Sequence, residues 1–120
     1  MRSMQGGVIP RNGTLSELLK NRAQRQMLLW AEARRLGELF HDRGAESVWV
    51  FGSLAQGTAT IMSDLDLWVV WPTDLPPLQR AISLLADSHP KVSVDLLVYT
   101  PEEFARIKPA RQLEGAVKII

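Results

Sequence analysis

The chain contains no cysteine. Disulfide scaffolds, thiolate catalysis and thiolate metal sites are therefore excluded. It also lacks a long apolar run. No run is longer than Leu67-Trp68-Val69-Val70-Trp71, which falls far short of the roughly 20 residues that span a bilayer, so no membrane-spanning segment is expected. Charge of one sign is not in excess either: 14 Lys and Arg stand against 13 Asp and Glu, a net charge of +1. That balance offers no electrostatic case for duplex DNA or an anionic membrane surface. Arg2 is followed by no apolar h-region, which argues against a secretory signal and for a cytoplasmic protein. Internal repeats and low-complexity tracts are absent.

What remains is an ordinary globular composition, 46% hydrophobic over 120 residues, suited to one domain. Residues 1–13 carry three Gly and a Pro without periodicity and read as a flexible N-terminal arm, leaving 14–120 as a single domain. Thr14-Leu15-Ser16-Glu17 has the form of a capping box. Apolar residues then recur every three to four positions from Leu15 to Phe40, one helical face that Gly44 closes. Typical helix lengths favour two helices here, broken near Lys20-Asn21.

After Gly44 the period changes to that of strands. Ser47–Phe51 and Leu65–Trp71 are β-branched and aromatic, separated by a loop through Thr60. Pro76-Pro77 opens a helix with Leu78, Ala81, Ile82 and Leu85 on its apolar face, and His89-Pro90 stops it. Val92–Tyr99 is a third strand. Thr100-Pro101-Glu102-Glu103 starts a further helix, and Gly115–Ile120 is read as a terminal strand. The expected fold is mixed α/β (α+β), a short mixed sheet with helices packed on one face.

Three carboxylates stand out by position. Asp64 and Asp66 are two apart at the start of a strand, so both leave one face of the sheet. Asp95 lies inside another apolar strand, although aspartate is depleted in strands and costly to bury alone. Two carboxylates 4 Å apart repel by roughly 4 kcal/mol at an effective dielectric near 20. The two aspartate-bearing strands hold no Lys or Arg to offset this, which makes a divalent cation the natural partner; Mg²⁺ takes such oxygens and keeps positions for water and phosphate. Leu65, Leu67, Val69 and Trp71 then form one core face, with Val92, Val94, Leu96 and Val98. The aspartate face also carries Trp68 and Val70, which need substrate, another part of the chain or a partner over them.

Upstream, Gly52-Ser53 ends a strand, and Gly57 follows in the loop. A glycine there lets backbone approach a phosphate, and Ser53 can donate from hydroxyl and N–H. Ten residues separate Ser53 from Asp64. Alone, Asp64 reads as a turn residue, Asp66 as a solvated strand position, Asp95 as an edge-strand charge and Gly57 as a turn glycine; together they form a specific pattern. His41 and His89 lie at element ends without ligand-spaced companions and are expected at the surface. The arginines at 22, 25, 34, 35 and 43 are expected on a solvated helix face.

The set FGSLAQGTATIMSDLDLWVV followed by VSVDLLVY resembles the nucleotidyltransferase superfamily typified by DNA polymerase beta, over roughly residues 47–100. It is most similar to the minimal (MNT) branch, whose signature is Gly-Ser, ten residues, then Asp-x-Asp. The resemblance implies that Gly52 and Ser53 hold the triphosphate of a nucleotide. It further implies that Asp64 and Asp66 coordinate two Mg²⁺ ions, with Asp95 binding the catalytic metal and helping to activate an acceptor hydroxyl. The implied reaction is transfer of a nucleoside monophosphate, AMP from ATP, onto a hydroxyl. Similarity to the antitoxins of HEPN/MNT toxin–antitoxin pairs implies that the acceptor is a tyrosine of a small helical HEPN-type toxin. The Trp68/Val70 face and the apolar N-terminal helix are expected to serve such a homo- or hetero-oligomeric assembly. Leu54 and Gln56 stand where many relatives carry a basic residue. That departure keeps two alternatives open: an inhibitory docking module with little transfer, or a small-molecule nucleotidyltransferase acting as a homodimer. A template-directed polymerase is disfavoured, because the chain leaves no room for a duplex-binding domain.

Overall fold

The structure, a computed structural model, describes residues 14–107 and 114–120; the arm expected over 1–13 lies outside the described residues. Thr14 opens the first helix as expected, its side chain accepting the Glu17 backbone N–H at 3.1 Å. Helix α1 then runs unbroken over Leu15–Asp42, 28 residues, so the expected break near Lys20-Asn21 does not occur. Asn costs at most about 0.7 kcal/mol relative to Ala in a helix. The residues just beyond Asn21 are tied to the body of the protein: Arg22 Nε donates to the Ala59 carbonyl at 3.0 Å, and Gln26 Nε2 to the same oxygen at 2.8 Å. Gly44 ends the helix at φ +104°. Its N–H donates to the His41 carbonyl and that of Ala45 to the Phe40 carbonyl, each at 2.9 Å, the paired bonds of a Schellman stop.

Strand β1 (Ser47–Phe51) leads into a five-residue helix α2 (Gly52–Gln56), where a loop is expected from the sequence. So short a helix has no apolar period to announce it. Strand β2 (Leu65–Val70), helix α3 (Pro77–Leu85), strand β3 (Val94–Tyr99), helix α4 (Pro101–Ile107) and strand β4 (Val117–Lys118) follow. The sheet order is β3-β2-β1-β4. β1 is antiparallel to β2 and β4, and β2 is parallel to β3, which makes the sheet mixed as expected. Val48, Val50, Leu65, Leu67 and Val69 are fully buried on one face against Leu29, Ala33, Leu36 and Phe40 of α1 and Leu84 of α3. Each Val, Leu or Phe side chain among them contributes about 1.5–3 kcal/mol on burial.

Two expectations fail on α3 and on the opposite sheet face. Ala81 and Leu85 pack on the core, but Leu78 and Ile82 are 88% and 72% exposed. The helix is turned by Arg80, which is buried and donates to the carbonyls of Leu75 and Val98 and to the Glu103 carboxylate. Glu103 is itself fixed by the α4 capping box: its Oε1 accepts the Thr100 N–H at 3.0 Å, and its own N–H donates to Thr100 Oγ1 at 3.2 Å. On the aspartate face, Trp68 and Val70 are 1% and 4% exposed, so they are not a free surface for a partner. The chain covers Trp68 itself, with Phe51, Tyr99 and the α4 residue Phe104 at ring-centroid distances of 5.7, 5.3 and 6.3 Å. Among the described residues no helix is long and apolar enough to cross a membrane.

Candidate active site

Strand pairing assembles the acidic cluster. In the parallel β2–β3 ladder Asp66 lies directly beside Asp95, and Asp64 is two residues upstream of Asp66, just before β2 begins. Neighbours in register and residues two apart share one sheet face, so all three leave the side opposite the main core. Asp64 and Asp95 are exposed and Asp66 is half-buried. Burial raises the Asp66 carboxyl above the ordinary aspartate value, and the charges of Asp95 and then Asp64 raise it further. Desolvation and like-charge proximity both oppose ionisation. None of the three forms a salt bridge among the described residues. No three acidic or histidine side chains there are already closed around one point, so the set is a cluster of like charges and not a finished cage. Its chemistry, hard oxygens lacking a counter-charge, fits a divalent cation.

Gly52 sits against this cluster. Phe51 is opposite Asp66 in the antiparallel β1–β2 ladder, and the next residue, Gly52, turns the chain into α2 at φ +71°. A Cβ at Gly52 would run into the Asp66 carboxylate, whose Cγ lies 3.1 Å from that position. Glycine is therefore required twice, by backbone conformation and by space. Ser53 follows at the start of α2, half-buried, with its carbonyl accepting the Thr58 N–H at 2.9 Å. Thus Gly52, Ser53, Asp64, Asp66 and Asp95, singled out from sequence, lie around one end of β2. Gly57 closes α2 at φ +78° with nothing within 4 Å of an added Cβ, as a turn glycine does. Leu54 is buried in the core, and Gln56 is exposed.

Residues 33–119 match the profile of the nucleotidyltransferase domain family. The chain belongs to that family. A solved structure described as a nucleotidyltransferase from Sulfolobus solfataricus has the same fold, with a TM-score of 0.59 and 22% identity over 80% of this chain and 83% of that one. No curated protein matches the chain.

The arginines of this nucleotidyltransferase domain correct a further expectation. Four of the five placed on a solvated helix face bind backbone carbonyls. Arg22 donates to Ala59 and Arg25 to Ser63, on the loop that delivers Asp64. Arg35 pairs with the buried Glu32 and donates to the Ser88 and His89 carbonyls, while Glu32 accepts the Lys91 N–H. Arg43 closes the C-terminal end of α3 through the carbonyls of Ser83, Leu84 and Ala86. Only Arg34 is exposed, over the Trp30 ring at 5.9 Å. A charge count cannot show this, because carbonyl acceptors leave no mark in the sequence. His41 and His89 are exposed, as expected.

Two concavities stand out among the described residues. A cleft of about 310 Å³ borders the cluster, lined by Phe51, Gly52, Gln56, Trp68, Leu97, Glu114 and Gly115. A more open groove of about 620 Å³ lies between α1 and β4 and holds no acidic side chain in its lining.

Proposed function

We propose that the protein is a Mg²⁺-dependent nucleotidyltransferase that moves AMP from ATP onto a hydroxyl of a partner protein. The observation that carries this is the juxtaposition of Asp64, Asp66 and Asp95 with the glycine-led turn at Gly52-Ser53. Asp64 and Asp66 would hold two Mg²⁺ ions, and Asp95 would share one of them; bound there, the ions supply charge neutralisation for the triphosphate and the leaving group. Gly52 lets the triphosphate approach the backbone, and Ser53 donates to it. Asp95 orients the acceptor hydroxyl and receives its proton. The hydroxyl oxygen bonds to the α-phosphorus as the bond from that phosphorus to the bridging oxygen breaks, and pyrophosphate departs with the electron pair.

The favoured acceptor is a tyrosine of a small helical HEPN-type toxin, which makes this chain its antitoxin. Support comes from α1, where Leu15, Leu18, Leu19 and Met27 are 73%, 46%, 55% and 71% exposed along the N-terminal half. An apolar helical stripe of that kind suits a protein interface. The test is transfer of label from α-labelled ATP with Mg²⁺ into a lysate of the source cell, using wild type beside Asp64→Asn/Asp66→Asn. Label on one small protein with the wild type alone is the expected result. A partner that co-purifies but never gains label would leave a docking module in place of the enzyme.

A further inference from the structure

We infer that the outer edge of β3 receives the acceptor as an added β-strand, an extended segment of the partner protein whose tyrosine lies over Leu97 and turns its hydroxyl to Asp95. This rests on the nucleotidyl-transfer reading and deepens it by naming how the acceptor is held. β3 ends the sheet order β3-β2-β1-β4, so only β2 pairs with it among the described residues. The ladder fixes its inner side: the Ser93 carbonyl accepts the Leu65 N–H at 2.9 Å, and the Tyr99 carbonyl accepts the Trp71 N–H at 2.8 Å. Backbone groups of successive strand residues point to opposite edges. Ser93, Asp95, Leu97 and Tyr99 therefore bond inward, and Val94, Leu96 and Val98 direct their groups outward. The Val98 carbonyl accordingly accepts Arg80 Nη1 at 3.3 Å. Arg80 thus closes one end of the edge. The N–H and C=O of Val94 and Leu96, on either side of Asp95, have no strand partner among the described residues.

Such an edge is a template for another chain's backbone, and strand addition is a recurring mode of peptide recognition. Continuity with the acidic cluster selects the acceptor as its occupant. On an antiparallel added strand, Val94 and Leu96 make the hydrogen bonds, which leaves Asp95 and Leu97 at non-hydrogen-bonded positions. Facing side chains come closest there, with Cβ atoms about 4.5–5.5 Å apart. Period-two alternation sends the residues facing Asp95 and Leu97 to the aspartate side of the sheet. A tyrosine facing Leu97 finds an apolar bed, since Leu97 is 42% exposed. Asp95 is then its diagonal neighbour, and diagonal pairs lie about 7–8 Å apart, within reach of an aromatic side chain. Asp95 is itself exposed and open to that approach.

The test is amide hydrogen exchange by NMR on the unaltered protein, without Mg²⁺ or ATP, with a capped peptide Val-Lys-Val-Tyr-Val-Ala-Val as the probe. In the free protein the Val94 and Leu96 amides are expected to exchange fast, while those of Asp95 and Leu97 are protected by β2. Saturating peptide is expected to slow Val94 and Leu96 at least about tenfold. Methylating the peptide's valine nitrogens, which face the edge, is expected to abolish that protection. Methylating its tyrosine and alanine nitrogens, which face away, is expected to preserve it. Exchange at Val94 and Leu96 that ignores the peptide overturns the proposal, as does equal protection by the valine-methylated form. So does protection that rises with protein concentration alone, which would give the edge to a second copy of the chain. The label-transfer assay fails separately. Label on the peptide tyrosine without protection of the edge would overturn strand addition alone. Protection without label would count against the transfer reading and support strand addition.

Discussion

Asp66 and Asp95 stand side by side across the parallel β2–β3 ladder, and the Gly52 backbone closes on Asp66 from the neighbouring strand. Burial first, and then the charges of Asp95 and Asp64, oppose ionisation of Asp66 in the absence of a cation. A carboxyl whose folded pKa is raised is neutral in both states at low pH and contributes nothing there. As pH rises past the ordinary aspartate value the unfolded chain ionises first, and the folded state loses ground until Asp66 also ionises. Asp66→Asn is therefore expected to raise the thermal midpoint at pH 7 without divalent cation, by roughly 2–5 °C. The gain should vanish on acidification below the ordinary aspartate value. Thermal melts of both proteins across that range, read beside transfer activity, check the trade of function for stability.

Gly52→Ala and Gly57→Ala separate backbone strain from contact. Both glycines have left-handed φ, +71° and +78°, but only Gly52 faces a neighbour. The conformational cost is about 1–2 kcal/mol at either site. Gly52→Ala must also displace the Asp66 carboxylate, so it is expected to lose more stability than Gly57→Ala and to abolish transfer. Chemical denaturation and label transfer on the two variants measure the difference.

Arg22 and Arg25 are expected to set the position of Asp64. Together with Gln26 they hold the carbonyls of Ala59 and Ser63, and the Thr60 N–H bonds Ser63 Oγ within the same loop at 2.8 Å. Replacing both arginines by Ala is expected to cost about 2–4 kcal/mol, since hydrogen bonds to charged groups contribute about 1.5–3 net each and these half-buried guanidiniums fall toward the lower end. Amide exchange at Thr60 and Met62 should accelerate, with Val48 and Leu67 in the core less affected. Equal acceleration everywhere would indicate general destabilisation and no local tether.

Glu32 anchors the turn between α3 and β3. The Arg35 guanidinium beside it holds its carboxyl below the ordinary glutamate value, against the opposing effect of burial, with help from the Lys91 N–H. A depressed pKa adds stability above the unfolded value of 4.5, and that stability is lost as pH falls through the folded value. Glu32→Gln is expected to be destabilising at pH 7 by about 1–3 kcal/mol, with the gap to wild type closing in acid. Urea titrations at neutral and acidic pH give both numbers.

Most of the fold was legible because it follows from local rules. The Thr14 N-cap, the capping box at Thr100, the Gly44 stop and the strand periods each appear where short-range chemistry places them. The acidic cluster was legible for the same reason, since period-two alternation alone puts Asp64 and Asp66 on one face. What escaped depends on contacts distant in sequence. Phe104 covers Trp68 from another helix, Glu103 turns α3 by drawing Arg80 inward, and the α1 arginines find carbonyls 37 to 54 residues away. Helix α2 escaped because five residues carry no periodicity.

The most direct test of the central claim is the transfer rate from α-labelled ATP for wild type, for Asp64→Asn, Asp66→Asn and Asp95→Asn singly, and for Ser93→Ala. Ser93 is an exposed neighbour on the same strand approach and serves as the control. Each aspartate variant is expected to lose more than about 100-fold, beyond the cost of losing an outer-shell partner of a metal site, while Ser93→Ala stays near wild type. Transfer at the wild-type rate by any folded aspartate variant would contradict the account.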